Sequence, residues 1–128
     1  MEAVIYLDTH AVVWLFAGQL DLFPERAVDA IESNDCLISP MVVLELHYLF
    51  ETEKIKVAAE RIIHELTSSI GLSLCNRPFG EVVTQAVSMK WTRDPFDRII
   101  TAQAMAGHAP LVTKDSTIRV HYKRAIWD

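Results

Sequence analysis

The sequence predicts an α/β protein, a three-layer α/β/α sandwich around a central, mostly parallel sheet of four to five strands. Three observations carry that prediction. Short apolar runs recur along the chain at Val4–Leu7, Cys36–Ile38, Leu72–Cys75 and Leu111–Thr113, with a further candidate at Ala125–Trp127. Runs this short and unbroken suit strands buried on both faces, the kind found inside parallel sheets. Between them lie longer stretches with helical apolar spacing, and strands alternating with helices form βαβ units.

Taken in order, Val4-Ile5-Tyr6-Leu7 runs straight into Asp8-Thr9-His10, so Asp8 stands where the first strand ends. In open α/β sheets ligands sit outside the carboxyl ends of the strands. His10–Phe16 reads as a short helix closed by Ala17-Gly18, and Pro24 is placed to open a second one with Ala27, Val28 and Ile31 on one face. After the strand Cys36–Ile38, Ser39-Pro40 supplies an N-cap and a proline at the first helical position, for a helix reaching about Thr52. Ala59, Ile62, Ile63, Leu66 and Ile70 make the clearest amphipathic helix, and Gly71 follows as its stop. Phe79, Val82, Val83, Ala86 and Val87 mark another. Asp94-Pro95 opens a helix carrying Phe96, Ile99, Ile100 and Ala104, which Gly107 ends.

With 128 residues the chain is expected to be a single domain spanning 1–128. The composition, 51% hydrophobic and 23% charged, belongs to a compact fold and excludes a disordered one. Long uncharged stretches such as Thr9–Leu20 and Thr101–Thr113 fall short of the ~18 apolar residues of a membrane span. No basic segment followed by an apolar one and a cleavage site opens the chain, and Cys36 and Cys75 sit in strand-like runs. A cytoplasmic protein with two buried, free thiols is the expectation. Net charge is −5, unevenly spread. Residues 1–89 hold five Lys/Arg against thirteen Asp/Glu, a balance of −8, whereas residues 90–128 hold seven against four, a balance of +3. A basic C-terminal third is able to face phosphate while the acidic remainder faces solvent or protein.

Four carboxylates stand out against this pattern. Glu45 has Met41, Val42, Tyr48 and Leu49 as helical neighbours, and a carboxylate in an apolar stripe must find a partner or bear a desolvation cost of several kcal/mol. Asp97 lies in Arg93-Asp94-Pro95-Phe96-Asp97-Arg98; with Asp94 as N-cap it falls at the third helical position, where either acid complements the helix dipole with no function attached. Asp115 follows Leu111–Lys114 and precedes a serine, repeating the order of strand, acid and hydroxyl seen at Leu7-Asp8-Thr9. Taken singly each has a structural explanation as cap, rim or turn. Together with Asp8 they fall at places that converge on one sheet edge. Like charges gathered there repel unless a divalent cation neutralises them. Oxygen ligands without cysteine or paired histidine favour Mg²⁺ or Mn²⁺ over zinc.

The segments Val4–His10, Glu45 in its helix, DPFDRIITAQA at Asp94–Ala104 and PLVTKDS at Pro110–Ser116 resemble those of PIN-domain nucleases, and most closely the VapC-type toxins of prokaryotic toxin–antitoxin pairs. The resemblance spans nearly the whole chain. It implies a PIN-like fold and a Mg²⁺- or Mn²⁺-dependent endoribonuclease, usually dimeric and held in check by an antitoxin. It maps the four family acids onto Asp8, Glu45, Asp97 and Asp115, with Asp94 as an auxiliary and Thr9 and Thr113 as supporting hydroxyls. Arg93, Arg98 and Lys114 flank these acids and are the candidates for gripping RNA. Two other readings stay open. A phosphoryl-transfer domain of receiver or phosphatase type also puts an Asp after its first strand, but should carry a second acid nearby, where this chain has His10. A catalytically silent PIN-like module that binds RNA or protein should have lost an acid. The tryptophans Trp14, Trp91 and Trp127 are able to stack bases but are expected mainly in core or dimer packing.

Overall fold

A computed structural model describes residues 3–128. Five strands, β1 (Val4–Leu7), β2 (Asp35–Ile38), β3 (Ser73–Leu74), β4 (Leu111–Val112) and β5 (Ala125–Ile126), form one sheet in the order β3-β2-β1-β4-β5. Every pairing is parallel, as the unbroken apolar runs imply. The chain winds outward from β1 through β2 to β3, then returns across the sheet to β4 and β5. The order therefore reverses between β1 and β4, the place where such sheets bind ligands.

Helices α1 (Thr9–Phe16), α2 (Glu25–Ser33), α3 (Pro40–Glu51), α4 (Ala59–Ile70), α5 (Phe79–Val87), α6 (Pro95–Ala106) and α7 (Ser116–His121) connect the strands. Six of them sit where the apolar spacing places them. The seventh, α7, and a single 3₁₀ turn at Leu20–Leu22 were not legible in that spacing. Strand β3 is shorter than Leu72–Cys75 because only Ser73 and Leu74 pair with β2, at the exposed sheet edge, while Leu72 and Cys75 turn inward and are buried. Both cysteines are free and buried.

The core joins Ile5, Leu7, Ile38 and Leu111 of the sheet to Val12, Val42, Leu46, Ile62 and Ile100 of the helices. Each such aliphatic side chain contributes about 1.5–3 kcal/mol on full burial. A smaller cluster of Val82, Ala86, Met89 and Ala102 locks α5 onto α6. Gly71 closes α4 in the left-handed conformation, φ 71°. Gly107 ends α6 differently. Its φ is −83°, and the left-handed residue is the next one, His108, with φ 51°. Gly107 is needed because Tyr6 Oη would lie 2.8 Å from a Cβ there.

Candidate active site

Asp8 is at once the end of β1 and the N-cap of α1. Its backbone N–H donates to Val112 O of β4 at 3.0 Å, and its carboxylate accepts from Thr9 N at 2.8 Å. Its second oxygen accepts from the Thr113 hydroxyl at 2.6 Å. Asp8 is 4% exposed and Thr113 wholly buried. The first strand that leaves the switch point and the strand beside it are thereby tied through one side chain.

Asp94 caps α6, accepting from Phe96 N at 2.8 Å and Asp97 N at 3.1 Å, and Asp115 caps α7, accepting from Ile118 N at 3.0 Å. Each of the three Asp/N-cap positions fills the role that Asp plays well at a helix start. The same arrangement sets Asp8, Asp97 and Asp115 at or within the first turn of three helices, where the dipole favours negative charge. Glu45 comes from the side of α3 and accepts a hydrogen bond from the Thr9 hydroxyl.

These acids meet. Asp8, Glu45, Asp97 and Asp115 line one cleft of ≈ 240 Å³, with Thr9 and His10 beside them. Their mutual repulsion is visible in their acidity. Burial, followed by the charges of Asp94, Asp8, Asp115 and Glu45, pushes Asp97 up to about 7. Burial likewise raises Glu45, with Asp8 and Asp94 adding to the rise and the Thr9 hydrogen bond opposing it. Among the described residues, no three His, Cys, Asp or Glu side chains stand ready-arranged around a metal ion. The donor set nonetheless fits a hard divalent cation in kind, since it offers carboxylate oxygens, the Thr9 hydroxyl and an excess of negative charge that such an ion would offset.

The supporting hydroxyls take separate partners, Thr113 binding Asp8 and Thr9 binding Glu45. The flanking cations do not behave alike. Arg93 is exposed in the loop before α6. Lys114 is exposed, with Nζ 4.8 Å from the centre of the Trp14 ring. Arg98 departs from its expected role: Nε donates to Ala86 O at 2.9 Å and an Nη to Val87 O at 3.1 Å, so its guanidinium caps the C-terminal end of α5. Orphaned carbonyls there attract a cation for the same reason that RNA would.

Other residues at the cleft lie outside the predicted site set, since His10 and Trp14 read mainly as local bonding and packing residues. His10 lines it, and Nε2 accepts from Lys114 N at 3.0 Å. That bond puts the ring proton of the neutral imidazole on Nδ1, which lies 3.5 Å from Asp8 Oδ2. Burial, with help from the Lys114 charge, lowers the His10 pKa against the pull of Asp8 and Asp115. Trp14, Val13, Leu49, Ile55 and Lys54 complete the lining. Lys54 lies in the loop after α3, where Glu53 adopts φ 62°. His10 was signalled by its place two residues after Asp8, and Trp14 by its place one turn after His10 on α1; Lys54 and Ile55 had no such signal.

The PIN domain family model matches residues 5–123. The chain belongs to the PIN domain family. One relative is ribonuclease VapC22 of Mycobacterium tuberculosis (strain ATCC 25618 / H37Rv), 28% identical over 123 residues, covering 91% of each protein. Solved structures of like fold include VapBC2 from Rickettsia felis bound to a DNA fragment from their promoter, with a TM-score of 0.64 and 20% identity over 98% of this chain and 100% of that one. A toxin–antitoxin complex from Klebsiella pneumoniae matches with a TM-score of 0.61 and 15% identity over 95% of each chain. VapBC-1 from nontypeable Haemophilus influenzae matches at 0.63 and 14%, over 98% and 97%. No helix of the described residues is long and apolar enough to cross a membrane.

Proposed function

We propose that this PIN domain is a Mg²⁺- or Mn²⁺-dependent endoribonuclease that acts as the toxin of a type II toxin–antitoxin pair. The observation that supports it best is the meeting of Asp8, Glu45, Asp97 and Asp115, remote in sequence, in one cleft at the switch point of the sheet. A fold that gathers four acids there bears an electrostatic cost that metal-assisted phosphodiester hydrolysis would explain.

Asp8, Asp97 and Asp115 would hold the ion, with Asp94 as an auxiliary and Glu45 reaching it through water or orienting the attacking water. When bound, the ion would lower the pKa of that water and offset charge developing on the phosphate. Thr113 holds Asp8 in place and Thr9 holds Glu45, so two of the four carboxylates are oriented before any substrate arrives. Arg93 and Lys114 remain the flanking cations for the RNA backbone, and Lys54 joins them at the cleft.

The name of ribonuclease VapC22 supports RNA as the substrate. The toxin–antitoxin assemblies among the structures of like fold support a protein antitoxin as partner. Exposed apolar side chains on α3 and α5, Leu44, Tyr48 and Phe79, are suited to a homodimer or antitoxin contact. The test is RNA cleavage with Mg²⁺ or Mn²⁺, with and without chelator, for the wild type, Asp8→Asn and Asp97→Asn, followed by sequencing of the new 5′ ends. Wild-type rates in either variant would defeat the assignment. Absence of any melting-temperature response to Mn²⁺ would favour the silent binding module instead.

A further inference from the structure

The cleft is not acidic throughout. Its lining combines the four carboxylates with an apolar portion of Val13, Trp14, Leu49 and Ile55 and one cation, Lys54. Holding a divalent ion uses the acids alone and leaves the indole unexplained. We propose that Trp14 is the stacking wall of a one-nucleotide subsite beside the carboxylates, taking the base while Lys54 and Lys114 neutralise adjoining phosphates. The proposal rests on the ribonuclease reading and adds to it the residue that grips the substrate's base.

Three geometric facts carry it. His10 links the two halves of the cleft: its Nδ1 is 3.5 Å from Asp8 Oδ2 and its ring is 5.2 Å from that of Trp14, edge to face. One imidazole thus separates the indole from the first carboxylate, a spacing suited to a nucleotide whose phosphate faces the ion that Asp8 would hold. The indole is also held still. Phe23 packs edge-on at 5.7 Å and Trp127 lies at 6.0 Å, tilted by 48°. A ring fixed in advance loses little rotamer freedom on binding. Finally the cleft, at ≈ 240 Å³, is smaller than the roughly 300–1,000 Å³ of pockets that enclose drug-sized ligands. It suits one nucleotide unit rather than a run of them.

Lys114 Nζ rests 4.8 Å from the Trp14 ring centre. An exposed cation–π contact is worth about 2- to 5-fold in an equilibrium, whereas stacking of a base on an aromatic side chain is worth roughly 5- to 150-fold. The base therefore outcompetes the ammonium for the ring and frees it for phosphate. Because every base has a π-face, the subsite tolerates sequence.

The test measures binding of short single-stranded oligoribonucleotides, intact or with one abasic ribose, to Asp8→Asn protein in Mg²⁺, so that nothing is cut. With Trp14 present the intact oligomer should bind about 5- to 150-fold tighter than the abasic one. Trp14→Leu should abolish that preference, and Trp14→Phe, which keeps a ring and guards against a folding artefact, should retain part of it. Lys54→Met and Lys114→Met should weaken intact and abasic oligomers alike and reduce the salt slope by about 0.7 each. In the active background Trp14→Leu should raise KM and leave kcat unchanged. Undiminished discrimination in Trp14→Leu overturns the stacking wall and leaves the nuclease reading standing. A metal-loaded wild type that neither binds nor cuts any RNA overturns both.

Discussion

The Thr113 hydroxyl donates to Asp8 Oδ2 at 2.6 Å, joining residues 105 positions apart across the β1–β4 seam. Thr113 Oγ1 also accepts from Asp115 N at 3.1 Å, so one hydroxyl orients two of the cleft's acids. Thr113→Val keeps the shape and removes both bonds. Leaving a buried acceptor without its donor costs about 1–3 kcal/mol, and losing a group that orients a metal ligand typically costs about 10- to 100-fold in activity or metal affinity. Thr113→Ser should recover most of both. Thermal melts and cleavage rates of the two variants check it; a Thr113→Val protein cutting at the wild-type rate would remove Thr113 from the site.

Arg98 gives a prediction of the opposite kind. Its guanidinium binds Ala86 O and Val87 O at the end of α5, so its contribution is to hold α5 against α6. Arg98→Met should lower the melting temperature, with a loss of about 1 kcal/mol or more for hydrogen bonds from a charged donor. RNA affinity, measured well below the melting temperature, should change little. A large drop in affinity at unchanged stability would restore Arg98 to the RNA-binding set.

What the sequence made legible follows from which interactions are local. Asp8 was readable because an unbroken apolar run ends on it, and Asp94 because capping acts within three residues. The convergence of Asp8 and Asp115 could be argued from topology, since residues just past strand C-termini share an edge, whereas Glu45 and Asp97 reach the cleft from helices α3 and α6. The bonds of Arg98 to α5 were not legible because its acceptors lie 11 and 12 residues away on another helix, beyond any periodicity. Helix α7 was missed because six residues are too few for an apolar stripe, and Asp115, its cap, also serves the cleft. Trp14 and Lys54 belong to the site only through packing, Lys54 by way of a loop whose path depends on a left-handed Glu53.

Gly107 and Gly71 end helices for different reasons, and substitution separates them. At Gly107 the backbone is ordinary, but an added Cβ meets Tyr6 Oη at 2.8 Å and Cε1 at 3.1 Å. Tyr6 is buried and its hydroxyl donates to Cys75 Sγ at 3.1 Å, so it yields with difficulty. Gly107→Ala should cost about 1–3 kcal/mol, as overpacking does. Adding Tyr6→Phe removes the clashing oxygen and should recover part of that loss, a non-additivity that a double-mutant cycle reads directly. At Gly71 nothing lies within 4 Å but φ is +71°, so Gly71→Ala should cost roughly 1–2 kcal/mol in backbone strain, with no rescue from Tyr6→Phe. Strict additivity of Gly107→Ala and Tyr6→Phe would contradict the clash.

Asp97 makes the acid cluster measurable without any substrate. Its pKa is about 7 in the fold against 3.8 for the ordinary side chain. Between those values the native state keeps a proton that the unfolded chain has released, so unfolding free energy falls as pH rises. The penalty is absent below about pH 4 and complete above about pH 7. His10 works with the opposite sign, since its lowered pKa means that stability is lost as pH falls below the ordinary histidine value. The clean quantity is therefore the difference between wild type and Asp97→Asn, which keeps the helix start and removes the charge. In metal-free buffer that difference should grow in favour of Asp97→Asn from pH 4 to pH 8, with a melting-temperature gain of roughly 4 °C per kcal/mol relieved. Mn²⁺ at 100-fold excess over its dissociation constant should then stabilise wild type by about 2.7 kcal/mol, and Asp97→Asn by less. A difference that stays flat across this range would mean that Asp97 feels neither its burial nor its neighbours' charges, and the cluster would lose its electrostatic argument for a cation.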